Sequence, residues 1–171
     1  MTKAWLVNAA TYLAGVGAGG SLPSPSQGMG RVDLGRAFDD AARLTVDQSV
    51  KFGATGATHV VTGSIADPSK PVRVTLAWTD APGGLTGAPW INDLNLTVVV
   101  NGATYRGNVF SGAVSIAGGA ADPKNNSESV FLPAGTTGPI TVTVSAAGIY
   151  GDGVPGDADH SDQDFALVVY N

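Results

Sequence analysis

The chain has 171 residues, of which 43% are hydrophobic and only 13% are charged, and its formal net charge is −5. This composition suits a folded chain with an apolar core rather than a disordered one, and the acidic balance leaves no basic stripe for nucleic acid. The absence of cysteine excludes thiol catalysis, zinc–thiolate sites and disulfides.

The first predicted element is a helix over residues 3–14, where Trp5, Leu6, Ala9 and Leu13 recur at helical spacing. Polar residues interrupt its apolar run, so the pattern is that of an amphipathic helix rather than a signal peptide. No apolar run approaches the roughly 20 residues of a membrane helix, and we expect no membrane partner.

A loop rich in Gly, Ser and Pro follows over residues 16–30. A short helix is then predicted within residues 27–41, with Asp33 as its N-cap. The hydrophobic pattern changes from helical to strand-like at about residue 42. We therefore predict a helical appendage over residues 1–42 and a β domain over residues 43–171.

Eight strands are predicted in the β domain, because runs rich in Val and Thr alternate with well-marked turns. Asn101-Gly102 between two such runs predicts a hairpin. Eight short strands without intervening helices predict an all-β fold, an antiparallel β-sandwich or jelly roll. The predicted strands are residues 43–51, 58–66, 72–79, 93–100, 103–106, 128–133, 139–147 and 163–170.

Catalytic signals are weak. His59 and His160 are the only histidines; the first lies in an alternating strand and the second in an acidic loop. No Gly-x-Ser-x-Gly elbow and no zinc-binding histidine pair occur. We expect the chain alone to have no enzymatic activity.

Oxygen-bearing side chains are concentrated at predicted strand ends. The stretch Val72–Val100 is predicted to form two strands, and each meets the connecting loop at an aspartate, Asp80 or Asp93. Calcium takes six to eight hard oxygen ligands, which loops at strand ends can supply, although Asp and Asn are also common turn formers. The sequence predicts a calcium site drawn from Asp80, Asp93, Asn108, Asp122, Asn125, Asn126 and Glu128.

A second acidic loop spans residues 150–164. Its spacing is not that of a helix–loop–helix calcium motif, since no glutamate follows at the twelfth position. An exposed acidic loop is the favoured interpretation, and metal binding is the alternative. Its acidic residues are Asp152, Asp157, Asp159, Asp162 and Asp164.

Two tryptophans receive different predictions. Trp78 has the inward parity of its strand and is predicted to lie in the core. Trp90 lies in a loop, where it either packs over the end of the sandwich or contacts a sugar or peptide. An alternative function is therefore a carbohydrate- or surface-binding module, with Tyr105 and Tyr150 as the other candidate aromatics.

Several stretches follow one another in a familiar order: KAWLVNAATYL, QGMGRVDLGRAFD, VTLAWTDAP, NDLNLTVVVNGATYRGN, NNSESVFLPAG and DQDFALVVYN. This succession resembles the C-terminal part of secreted subtilisin-like serine peptidases that carry a jelly-roll (β-barrel) domain after the catalytic domain. The catalytic Asp, His and Gly-Thr-Ser-Met-Ala stretches have no counterpart, so no catalytic residue is carried over.

The resemblance implies that residues 1–42 are the last helices of a protease domain plus a linker. It implies that residues 43–171 are a calcium-binding accessory jelly roll in a secreted protein. The expected partners are the protease domain of the parent chain and its protein substrate. The apolar side of the first helix, if left uncovered, also gives an expectation of self-association.

Overall fold

The computed structural model describes residues 1–86, 89–156 and 158–171. In this described part the chain forms two helices and ten strands. The helices are α1 (Thr2–Ala9) and α2 (Leu34–Ala37). The strands are β1 (Arg43–Phe52), β2 (Thr58–Ser64), β3 (Val72–Ala77), β4 (Asp93–Val100), β5 (Ala103–Arg106), β6 (Phe110–Ser111), β7 (Val114–Ser115), β8 (Ser127–Leu132), β9 (Pro139–Gly148) and β10 (Gln163–Tyr170).

Two four-stranded antiparallel sheets face each other. The first has the order β1-β10-β3-β8 and the second has the order β2-β9-β4-β5. The prediction of a mainly antiparallel β fold with a short N-terminal helix is confirmed. The count of eight strands is wrong, because β6 and β7 pair as an additional two-stranded sheet. Two residues per strand are too few to show an alternation in the sequence.

Side chains at alternate positions fill the space between the sheets. Leu94, Leu96 and Val98 of β4 are buried there with Val74 and Leu76 of β3. Trp78, just after β3, belongs to the same cluster and is 5% exposed, so the prediction that it lies in the core is confirmed. The Asn101-Gly102 hairpin is also confirmed, since both residues have positive φ (49° and 78°), as a tight β-hairpin turn requires.

Helix α1 covers the outer face of the first sheet. Its Ala4 is fully buried against Ala77 and Val168. Asn8 donates through Nδ2 to the carbonyl of Arg73 (3.0 Å) and to that of Val168 (3.3 Å). Arg73 donates in return to the carbonyls at the end of α1. The helix is therefore attached to the sandwich, and the domain division at residue 42 stays a prediction.

The boundaries of the helices differ from the predicted ones. α1 ends at Ala9 rather than residue 14, because Ala10 is extended and Thr11 pairs with Arg31. α2 is a single turn, and Asp33 is its N-cap as predicted, with the side chain accepting from the Arg36 amide. Neither helix is long or apolar enough to span a bilayer, in the residues that the structure covers.

Candidate metal centre

Glu128 joins the two sheets at one end of the sandwich. It lies on β8 of the first sheet, and its Oε2 accepts a hydrogen bond from the Leu96 amide of β4 in the second sheet (2.7 Å). Strand β5 pairs with β4 only from Thr97 onward, and the Gly107 amide then donates to the Leu96 carbonyl (2.9 Å). A Cβ on Gly107 would collide with Oε2 of Glu128, so the carboxylate can sit here only beside a glycine.

The other oxygen of Glu128 is buried without a donor. The residue is 1% exposed, and Oε1 has no hydrogen-bond partner among the residues that the structure describes. Burial, with smaller contributions from Asp122 and Asp93, raises the pKa of Glu128 to about 8. A carboxylate in this position needs either a proton or a nearby cation.

Three aspartates, Asp80, Asp93 and Asp122, belong to the same acidic region as Glu128. Asp93 is half-buried, and burial followed by the charges of Asp122 and Asp80 raises its pKa. Within residues 1–86, 89–156 and 158–171, neither Glu128 nor any of these three aspartates forms an ion pair with a lysine or arginine. The cluster therefore has a negative charge that no basic side chain of the described chain neutralises.

Asp80 closes the loop that separates β3 from β4. Its Oδ2 accepts from the Ile91 amide and its Oδ1 from the Asn92 amide, both at 2.8 Å. Asn92 is 1% exposed and donates from Nδ2 to the carbonyls of Gly151 and Asp162. It thus ties this loop to the second acidic loop, a role that the sequence analysis did not assign to it.

Asp122 is held as an anion by its neighbours. Burial opposes ionisation, but four hydrogen bonds together lower the pKa of Asp122. Oδ2 accepts from Nδ2 of Asn108 (2.7 Å) and of Asn125 (2.6 Å), while Oδ1 accepts from the amides of Lys124 and Asn125. These bonds fix the direction of the carboxylate, as bonds from a surrounding shell do at metal sites.

The three predicted amide ligands have different positions. The amide of Asn108 is engaged at both ends, since its Oδ1 also accepts from the Ser129 amide (3.1 Å). Asn108 and Asn125 therefore position Asp122. The Oδ1 of Asn126 accepts from Lys3 Nζ (2.6 Å).

A polar pocket of about 280 Å³ lies beside the cluster. Half-buried Trp90 forms part of its wall, together with Asp80. The pocket is lined by Asp80, Pro89, Trp90, Lys124, Asn125 and Asn126. An aromatic surface beside polar groups is a suitable contact for a small polar ligand.

The four carboxylates do not form a closed set of ligands. In the described residues no three Asp, Glu or His side chains converge as a complete metal site. Oε1 of Glu128 is the one buried oxygen of the four carboxylates without a partner in the described residues, and it is the atom that a cation would contact. Calcium tolerates mixed and irregular oxygen coordination better than magnesium does, so the residues present fit calcium.

The second acidic loop differs from the Glu128 cluster because a lysine side chain contacts its aspartates. Lys51 Nζ lies 2.7 Å from Asp159 Oδ2 and 2.9 Å from Asp162 Oδ2. Asp162 is fully buried, and its Oδ1 accepts from the Val154 amide. Asp164 accepts from Gln48 Nε2, and Asp157 lies outside the described residues.

No protein-family model matches this sequence, and a search of curated proteins finds no similar one.

Proposed function

We propose that the chain is a non-catalytic, calcium-stabilised β-sandwich accessory domain of a secreted subtilisin-like serine endopeptidase. The observation that supports the calcium part is the buried Oε1 of Glu128, which lacks a donor and feels the charges of two further carboxylates, Asp122 and Asp93. The proposed parentage, secretion and jelly-roll topology rest on the ordered resemblance of the sequence stretches to that family.

The ion would act as a clamp between the two sheets. Glu128 comes from the first sheet, and Asp93 begins β4 of the second. A cation bound to both would supply the positive charge that allows the buried carboxylates to remain ionised. Since the unfolded chain cannot assemble these oxygens, binding adds RT ln(1 + [L]/Kd) to the stability of the folded state.

Thermal unfolding of the pure chain in calcium and in chelator tests this proposal. Calcium at about 100 times its dissociation constant would add about 2.7 kcal/mol, and the melting temperature would rise by about 5 to 10 °C. The variant Asp159→Asn is the matched control, because it removes an acidic group from the other loop and should keep the response. Equal melting temperatures in calcium and chelator would exclude the calcium site.

The accessory role has its own test, which does not depend on calcium. A Gly-Thr-Ser-Met-Ala stretch encoded upstream of Met1, in frame, is expected for a peptidase parent. The chain by itself should not hydrolyse casein. Hydrolysis by the pure chain that persists through repeated purification would contradict a non-catalytic role.

The half-buried Trp90, which lines a polar pocket, favours one alternative function, a carbohydrate- or surface-binding module. A pull-down on insoluble polysaccharides with the chain and with Trp90→Ala separates the two proposals. Retention that is lost in Trp90→Ala would favour the binding module. The accessory-domain proposal predicts no retention of either protein.

A further inference from the structure

Strand β1, at one edge of the first sheet, is protected against pairing with another chain. Its register with β10 breaks between Asp47 and Lys51, and Gln48 has a φ of 55°. It also carries charged side chains, including Arg43. A bulge together with charged side chains is the usual means of preventing edge-to-edge association.

The edges formed by β8 and β5 are covered by the chain itself. Along β8, the Ser129 amide donates to Asn108 Oδ1 (3.1 Å) and the Phe131 amide donates to Ser115 Oγ (2.9 Å). Along β5, the carbonyl of Thr104 accepts from the Gly118 amide (2.8 Å). Backbone groups at these two edges therefore already have partners.

Strand β2, the remaining edge, has none of these protections. Its pairing with β9 is regular from Thr58 to Ser64, without a bulge, and the strand contains no charged residue and no proline. In the part of the chain that the structure describes, β9 is its only strand partner, and Val60 is 52% exposed. Alternate residues of an edge strand direct N–H and C=O groups away from the sheet, which makes this edge a template for another strand.

We propose that this edge pairs antiparallel with β2 of a second copy of the chain. Pairing of two identical strands about a two-fold axis is closed, since it satisfies both exposed edges at once. The strand is uncharged, so two copies meet here without like-charge repulsion. Full overlap of the seven residues places the axis at Val61, with Val60 of each copy opposite Thr62 of the other.

The β2–β2 contact differs from the self-association that the sequence analysis expected through the apolar side of the first helix. In α1, Ala9 is buried and Trp5 and Leu6 are half-buried, so that apolar side is partly covered within the same chain. A seven-residue strand contact buries less than the roughly 1,200 Å² of a standard stable interface. The dimer therefore forms and dissociates with protein concentration.

Sedimentation velocity over a concentration series, combined with hydrogen exchange of the β2 amides, tests the proposal. Val60→Lys with Thr62→Lys places two pairs of like charges opposite each other across the axis. Val60→Lys with Thr62→Glu places complementary charges there. The matched control is Thr143→Lys with Thr141→Lys, which alters the direct cross-strand partners of Val60 and Thr62 one strand further into the sheet.

We expect the wild type to dimerise reversibly, with slower exchange of the β2 amides as concentration rises. The double lysine variant of β2 should raise the dissociation constant about tenfold, and the Lys/Glu variant should restore it. The β9 control should change it by less than about twofold, since those positions lie off the edge.

Several results would overturn the proposal. A wild type that remains monomeric up to about millimolar concentration, where binding is worth only about 4 kcal/mol, would do so. Equal weakening by the β9 control would place the contact elsewhere. Reduced, carboxymethylated lactalbumin serves as an unfolded probe. If it alone protects the β2 amides while the chain stays monomeric, the edge takes foreign strands rather than its own copy.

Discussion

Glu128 in β8 and Asp162 just before β10 are both almost completely buried carboxylates, at 1% and 0% exposure, yet their surroundings differ. Lys51 Nζ lies 2.9 Å from Asp162, whereas Glu128 and the aspartates around it have no lysine or arginine within ion-pair distance in the described residues. A buried carboxylate needs a counter-charge or a proton. Where the chain supplies no counter-charge, a bound cation is the remaining source, which is why the calcium proposal concerns only the Glu128 cluster.

Loss of the lysine from the second acidic loop should lower the stability of the fold more than loss of calcium from the Glu128 cluster. Lys51→Met removes the positive charge facing fully buried Asp162, and we expect a loss of about 3 kcal/mol in the free energy of unfolding. This is the lower end of the range for buried pairs, since about a third of the Lys51 side chain is exposed. Denaturant unfolding in chelator measures the loss without any contribution from calcium binding.

Lys70→Met is the control for that experiment. Lys70 lies 3.9 Å from Asp67, and the Asp67 side chain is 43% exposed, whereas that of Asp162 is fully buried. Its removal should change stability by less than about 0.5 kcal/mol. A loss for Lys51→Met no larger than that of the control would show that Asp162 does not need the lysine.

A substitution at Gly107 would disturb the Glu128 cluster without changing its charge. Gly107→Ala places a methyl group against the Glu128 carboxylate, and we expect a loss of about 1 to 3 kcal/mol from overpacking. The calcium response should fall as well, because the carboxylate must move. Thermal unfolding in calcium and in chelator measures both effects.

Gly63→Ala is the matched control, since a Cβ there meets only open space. It should be neutral or slightly stabilising, as glycine within a strand usually gains from replacement. If Gly107→Ala were equally neutral, the close approach of the carboxylate to residue 107 would not be a constraint.

Asn125→Ala should have a smaller effect on the same region. It removes one of the two side-chain donors to Asp122 Oδ2, while Asn108 still donates to that oxygen. We expect a loss of about 0.5 to 1 kcal/mol and a calcium affinity reduced by about tenfold. Calorimetric calcium titration measures the second effect, and an unchanged affinity would show that Asp122 takes no part in binding.

Local sequence patterns predicted much of the fold. Alternation in Leu94, Leu96 and Val98 indicated β4, and the Asn101-Gly102 pair indicated the hairpin that follows it. The end of α1 was missed because the Thr11–Arg31 bridge that draws the chain away from the helix depends on tertiary structure.

The candidate site was predicted less completely. The local turn cluster around Asp122 could be found from its spacing. Glu128 has the same strand parity as buried Val130 and Leu132, but the sequence analysis did not use that parity to predict an inward carboxylate. The contact of Glu128 with the Leu96 amide depends on how the two sheets face each other. That relation lies outside any local pattern, so neither Leu96 nor Gly107 could be named from the sequence.

The most direct test of the central claim is the free energy of unfolding as a function of pH, with and without calcium, for wild type and Glu128→Gln. The pKa of Glu128 is raised from 4.5 to about 8 in the folded state, so in chelator the folded chain holds a proton that the unfolded chain releases. Its stability should therefore fall between about pH 5 and pH 8.

Calcium should remove that fall by binding the ionised carboxylate, so the calcium-dependent gain should be largest at pH 8. Glu128→Gln should show neither the fall nor the gain, because it keeps an acceptor for the Leu96 amide and has no charge to lose. A wild type whose stability at pH 8 is the same in calcium and in chelator would contradict the account.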